Sequence, residues 1–424
     1  MLIYINTTGS HGDVNPFLAI GCELRDRGHE VVVFTHPFYT RDLADAGLRH
    51  VPIGAEIDHE AVLKNPRLMH PRKGGPYVMK LILGAASGAL EIIRAQITEQ
   101  RPDVFVAHHV CFGSRWIARE AGLPYASGML APLFWFSPND PVPAPQKRPG
   151  RLHTNIARLA MIGLRPLLHL VGDRWINRLR KEVGFPTERG IFMRDSHGGD
   201  VNLGLWSPHF RAPTASDPPR TITCGFPWYD RAELDGLEPD LQSFLDDGEP
   251  PIVFALGTAA VYTPGDYYEI AAEACTRLGR RGLLLTGTPD RAPATLPDGV
   301  RAFGYAPFSL VLPRGCATVH HGGIGSTAQA LRAGRPSVVV PHAHDQFNNG
   351  VRVVSLGAGA IVRRTRLTPP RLAEALRSVL ESPAMQPRCD ALRASLADED
   401  GAGTAADAIE DLGQRKRVGF PVTA

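Results

Sequence analysis

The sequence predicts an α/β protein built as two domains, each around a parallel sheet. Short β-branched runs recur along the chain, and each leads through a turn into a stretch of helical period, the pattern of strands joined by crossover helices. The rhythm fades near residue 225 and restarts at residue 251. At 424 residues the chain is too long for one ordinary core and suits two of roughly 200 residues each.

Taken in order, Leu2 to Asn6 predicts a buried first strand, followed by the glycine turn Thr8-Gly9-Ser10-His11-Gly12-Asp13 and a helix with Phe17, Gly21 and Leu24 on one face. Gly28 ends that helix, His29 to Phe34 gives a second strand, and Asp103 to Ala107 a later one. Residues 139–150 are too proline-rich for regular structure and predict a loop. From Lys147 to Glu182 nine Lys or Arg face two acids, with apolar residues at helical spacing. That segment reads either as a basic amphipathic element for an anionic lipid surface or acyl acceptor, or as an ordinary helix pair divided at Pro166. The acidic run from Asp230 to Pro251 reads as the interdomain connection. Beyond it Pro251 to Leu256, Gly282 to Leu285, Cys316 to Val319 and Ser337 to Val340 predict the strands of the second domain. The expected boundaries are 1–225, a connection at 226–250, a second domain at 251–400, and a C-terminal helix or tail at 401–424 packing back towards the first domain.

Composition narrows the function. A net charge of +3 is small for this length and argues against nucleic acid as the main partner. Six cysteines lack any CxxC spacing, so neither a zinc site nor a disulfide framework is expected, and a reducing cytoplasm fits best. The first residues enter a strand at once and no window is apolar enough to span a bilayer, so neither secretion nor a transmembrane segment is expected.

The stretch ATVHHGGIGSTAQ, residues 317–329, is the most informative. Three glycines in four positions give up packing, which is sensible where a ligand must approach the main chain. A strand, a bare turn and a helix opening near Thr327 would aim free N–H groups and a helix dipole at an anion. Gly323-x-Gly325-x-x-Ala328 with Asp345 beyond it nearly matches a dinucleotide fingerprint, but at least two strands of the domain precede it; a P-loop is excluded by the missing Gly-Lys-Ser/Thr. The third reading groups His321, Gly323, Ser326 and Thr327 around a diphosphate, and Asp345-Gln346, after a strand, offers an acceptor and a donor suited to sugar hydroxyls.

Together GSHGDVNPF, RGHEVVVFT, GFPWYD, FALGT, YAPFSLVLP and VHHGGIGSTAQALRAGRPSVVVPHAHDQ resemble the GT-B glycosyltransferases that use UDP- or dTDP-sugars, in the branch of vancomycin-type, sterol and rhamnolipid enzymes. The resemblance spans nearly the whole chain. It implies two Rossmann-like domains facing a central cleft and a nucleotide diphosphate sugar as co-substrate with no cofactor; Phe134, Trp135, Phe136 and the amphipathic segment suggest a small hydrophobic acceptor, or else plain core. It further implies that His321 and the N–H groups from Gly323 through Gly325 and Ser326 to Thr327 hold the diphosphate, Asp345 and Gln346 the sugar, Thr258 a phosphate and Tyr305 the base. His320 is expected to be structural. Asp13, with His11 as competitor, is the expected base in an inverting transfer. His108, His109, Phe134 and Trp135 are candidates for the acceptor, with core packing as the alternative. Asp398-Glu399-Asp400 spells a metal-binding D-x-D, but its polar setting reads as a helix cap, and no metal is expected. The rivals are a sugar-nucleotide epimerase or NAD-dependent enzyme on a similar scaffold, and a silent relative that only binds.

Overall fold

A computed structural model describes the backbone of residues 1–140, 151–230 and 236–417. Most of the loop expected at 139–150, part of the connection at 226–250 and the end of the tail at 401–424 lie outside the described residues. The chain forms two compact units: one of Met1–Val62, Pro76–Tyr229 and the residues from Asp400 on, the other of Leu63–Gly75 and Asp230–Glu399.

The first unit holds a seven-stranded parallel sheet of β1 (Leu2–Asn6), β2 (Glu30–Thr35), β3 (Arg49–Pro52), β4 (Val104–His108), β5 (Tyr125–Met129), β6 (Val201–Gly204) and β7 (Thr221–Thr223), in the order β3-β2-β1-β4-β5-β6-β7. The apolar runs expected of a sheet covered on both faces are buried: Tyr4, Val32, Phe34, Phe105 and Ala107 share one core with Ile93, Ile97 and Ile117. Four helices of this unit carry or flank the chemistry-bearing residues: α1 (His11–Asp26), α2 (Thr40–Asp45), α3 (Arg151–Glu182) and α4 (Ile191–His197). α3 is one helix of 32 residues, not a pair, and it runs through Pro166. Proline removes one helical N–H and strains one turn; with helix-forming residues on both sides the break expected there does not occur.

The second unit holds a six-stranded parallel sheet of β8 (Ile252–Ala255), β9 (Gly282–Leu285), β10 (Val300–Phe303), β11 (Ala317–His320), β12 (Ser337–Val339) and β13 (Gly359–Ile361), in the order β10-β9-β8-β11-β12-β13. One face is covered by a core including Ile252, Phe254, Val319 and Val338, the other by one including Val253, Ala255, Leu283 and Leu285. α5 (Ile324–Ala333) follows β11 and α6 (Gln346–Ser355) follows β12. The helix Pro239–Asp246, in the acidic run read as a connection, contributes Leu241 and Phe244 to this unit's core.

The chain then returns to the first unit as α7 (Gly401–Arg417), which lies on α1. Arg27 bonds Asp407 and Glu410, and the His29 ring meets Glu410 at 2.6 Å. Each sheet reverses its strand order once, between β1 and β4 and between β8 and β11. Crevices at such reversals, outside the carboxyl ends of the strands, are where open α/β sheets bind ligands.

Candidate functional site

In the second unit the motif residues gather at the reversal. Ala255 of β8 pairs with His320 of β11, and His320 with Val339 of β12, so the segments leaving these three strands start side by side. They carry Thr258, His321 to Ser326, and Asp345 respectively. His320 is 3% exposed and its Nδ1 accepts the Gly322 N–H at 3.1 Å, which folds the turn; this is the structural role expected of it. Gly322 has φ +90, and a Cβ there would lie 2.9 Å from the Gln346 carbonyl oxygen, so two separate reasons require glycine.

His321 lies between two bare stretches of main chain. A Cβ on Gly257 would lie 2.5 Å from its Cε1, and one on Gly323 would lie 2.5 Å from its Nε2. Nδ1 of this ring is buried without a protein partner. Burial, with His320, His342 and His344 nearby, holds its pKa well below the usual histidine value, so the ring is neutral and offers one N–H donor. α5 begins at Ile324 with Gly323 as its N-cap, three residues before the opening expected at Thr327. The N–H groups of Ile324, Gly325 and Ser326 are therefore the free first-turn donors. Thr327 differs from expectation: its N–H bonds Gly323 O at 2.9 Å and its side chain is fully buried, so it supports the turn from below.

Around β12 the two expected sugar residues separate in role. Asp345 is half-buried and takes the Asn349 amide at 2.6 Å, and the same amide nitrogen donates to Gly322 O at 2.9 Å. Asn349 thus ties Asp345 to the glycine turn; its i,i+4 spacing from Asp345 was the signal available in the sequence. Gln346 is 3% exposed, and its Oε1 accepts from the His342 and Ala343 N–H groups, which shapes the loop instead of leaving that oxygen to a ligand. His344, at φ +57, turns its ring to the Leu68 carbonyl at 2.9 Å, so the segment Leu63–Gly75 packs beside this loop. Nothing in the local pattern of that segment signals the contact. Tyr305, past the end of β10, is 53% exposed and presents an aromatic face.

In the first unit the reversal brings the β1–α1 turn against the end of β4. The α1 helix begins at His11, so Asp13 sits inside its first turn. Its Oδ2 accepts the Ser10 N–H at 2.8 Å and the Ser10 hydroxyl at 2.9 Å. These bonds are those of an N-terminal cap, and they fix the carboxylate while leaving Oδ1 unused by them. His11 does not pair with Asp13; its Nε2 faces Asp42 of α2 at 3.7 Å, and its ring packs edge-on to Tyr39 and Phe38. His108 is buried with Nδ1 at 3.3 Å from the Thr8 carbonyl. His109 is buried with neither ring nitrogen bonded by protein, and its ring centroid lies 4.9 Å from that of Phe134. Burial lowers both histidines' pKa values. Trp135 is 1% exposed against Trp206, with Arg211 over its ring: a core side chain, and a correction to its place among the acceptor candidates.

The D-x-D run resolves as a cap. Asp400 accepts the Gly403 N–H at 2.7 Å at the start of α7, and no cluster of metal-ligating side chains exists among the described residues. All six cysteines are unpaired by disulfides.

Residues 3–114 match the glycosyltransferase family 28 N-terminal domain, and residues 286–412 match the C-terminal domain of erythromycin biosynthesis protein CIII-like proteins. The chain is 30% identical to the O-mycaminosyltylonolide 6-deoxyallosyltransferase of Streptomyces fradiae, covering 98% of both chains. It is 27% identical to the vancomycin aglycone glucosyltransferase of Amycolatopsis orientalis, covering 98% of this chain and 99% of that one. Among solved structures the glycotransferase of kitacinnamycin superposes with a TM-score of 0.76 at 24% identity, over 97% of this chain and 98% of that one. The glycosyltransferase VinC, solved in complex with dTDP, gives 0.66 at 18% identity over 98% of this chain and all of that one.

Proposed function

The chain belongs to the GT-B glycosyltransferases of the antibiotic and natural-product type, and from that premise we propose that it is an inverting enzyme moving a sugar from a UDP- or dTDP-linked donor to a hydroxyl of a small hydrophobic acceptor. One observation supports the donor half above all. His321 occupies the space that side chains at Gly257 and Gly323 would fill, and it carries a buried nitrogen that no protein group satisfies. A buried polar atom of this kind calls for a partner, and a bound diphosphate would supply one.

The diphosphate rests on the first-turn N–H groups of α5, with the hydroxyls of Ser326 and Thr258 and the neutral His321 ring as further donors. Asp345 orients the sugar and Tyr305 stacks on the base. In the reaction the acceptor oxygen loses its proton to Asp13, or to His11, and bonds the anomeric carbon. The bond from that carbon to the diphosphate breaks, and the charge left on phosphate is met by donors already in place. His109 and Phe134 form an acceptor-facing group with an apolar face and an unsatisfied polar one.

The test is a mass-spectrometric screen of UDP- and dTDP-sugars against hydrophobic alcohols and phenols, run with a chelator present. A product of inverted anomeric configuration that forms without metal is expected. Turnover of the sugar nucleotide without acceptor would point to an epimerase, and tight donor binding with no turnover to a silent relative; either overturns the proposal.

A further inference from the structure

Among the described residues eleven large hydrophobic side chains are exposed, and six lie on α3: Leu159, Ile162, Leu167, Leu170, Val171 and Trp175. Leu170 and Leu159 are 72% and 67% exposed. At 100° per residue Leu159, Leu167, Leu170, Val171 and Trp175 fall within an arc of about 160°, with Ile162 about 60° beyond its edge. The other side, through Gly172, Ile176 and Leu179, is buried and packs with α4 and its surroundings. An apolar stripe of this kind on the solvent side of a helix calls for an occupant.

Charge identifies it. Nine Lys or Arg against two acids from Lys147 to Glu182 make this segment more basic than the whole chain, whose net charge is +3, so the remainder is net acidic. Arg174 inside the apolar stripe, and Arg178 and Lys181 past its end at Trp175, share the exposed side of the helix. Neither described acid of the helix forms an ion pair with them: Asp173 accepts the Gly190 and Phe192 N–H groups at the start of α4, and Glu182 accepts from the Ser87 hydroxyl. A second copy of this face would set like charges against each other, which disfavours self-association. Among the described residues no helix is long and apolar enough to cross a membrane. An amphipathic helix with an apolar stripe, a tryptophan near one end and a basic flank suits the plane of an anionic bilayer.

We propose that α3 docks this protein on an anionic lipid surface, lying in the interface with its leucine stripe inserted and its arginines over the headgroups. This goes beyond the transfer reaction and does not depend on it, because binding is read without donor or acceptor.

The test is co-sedimentation of the full chain with vesicles of phosphatidylglycerol and phosphatidylcholine in equal parts, against vesicles of phosphatidylcholine alone. Binding to the anionic vesicles only, reversed at high salt, is expected. Arg174→Ala with Arg178→Ala should weaken it by about thirtyfold, at about fivefold per cation. Leu167→Glu with Leu170→Glu should abolish it, with the melting temperature unchanged because both side chains are exposed. Equal binding to neutral vesicles, no binding to either, or undiminished binding by the leucine variant would overturn the proposal. So would a concentration-dependent dimer dissociated by the leucine variant without any vesicle binding, which would assign the stripe to a second copy.

Discussion

Gly323→Ala tests the His321 ring as the centre of the proposed donor site. Gly323 has φ −58 and ψ 147, a conformation any residue adopts, so alanine there meets no backbone strain. Its only conflict is the new Cβ, placed 2.5 Å from Nε2 and 3.0 Å from Cε1 of His321. The ring cannot move away, because the main chain at Gly257 closes its other side and the side chain is 8% exposed. Overpacking of a well-filled site costs about 1–3 kcal/mol. For a unit of roughly 200 residues, a cost of ~2 kcal/mol lowers the Tm by about 4–8 °C. Turnover should fall by about 10²-fold or more, as for loss of a donor to developing charge. The deciding measurement is the double variant. In a His321→Ala background the space is empty, so Gly323→Ala should cost about zero in stability while activity stays low. Thermal melts of the four proteins and initial rates at saturating donor are sufficient. An equal Tm loss from Gly323→Ala in both backgrounds would show that the ring does not fill that space, and the bareness of the turn would then have another cause.

Asp13→Asn keeps an oxygen to accept from Ser10 but cannot take a proton, so on an aliphatic alcohol the rate should drop by about 10²-fold with donor affinity unchanged; full activity there, with His11→Ala inactive but folded, would move the base to His11. Gln346→Ala leaves the N–H groups of His342 and Ala343 without their acceptor and should destabilise by about 2 kcal/mol, whereas Asp345→Ala should alter sugar preference with a small change in Tm; the reverse pattern would exchange the two roles. Urea unfolding should show stability falling as pH drops from about 6.5 towards 4. Burial holds His320 and His342 down at about 4, so the unfolded chain binds protons that the folded one refuses, at up to about 1.4 kcal/mol per pH unit for each. Asp195, pushed up to about 6 by burial, acts in the opposite sense below that pH but supplies a single proton against several histidines. A flat profile between pH 6.5 and 5 would refute this balance.

Elements were readable in the sequence where their causes were local. β1 and β8 are largely apolar runs, β11 is a short β-branched one, and all three lead into glycine turns, so the reasons for both features lie within a dozen residues. β7 and β13 are three residues each and stand in the sheet only because neighbours hold them, so no period marks them. Helix starts were displaced for a related reason. The first turn of α1 contains Gly12 and that of α5 contains Gly325, and glycine there looks like loop until a cap such as Ser10 with Asp13 is seen to hold it. Within the site, residue types and order identified His321 and the turn, but not the partners. Asp42 meets His11 across 31 positions, Leu68 meets His344 across 276, and the inward turn of the Gln346 amide depends on a loop whose path only tertiary structure sets.

The return of α7 to the first unit fixes an order of assembly. Ala405, Ala406 and Ile409 are fully enclosed on it, and a Cβ on Gly413 would lie 2.7 Å from the Met1 sulfur, so residues some four hundred positions apart in synthesis share one core. The second unit is nearly continuous in sequence and has all its parts once residue 399 has left the ribosome; the first must keep the faces of β1 and α1 uncovered until residues 401–417 emerge. The unit synthesised first is thus the one finished last, and during translation its exposed sheet is the surface that a chaperone would have to shield.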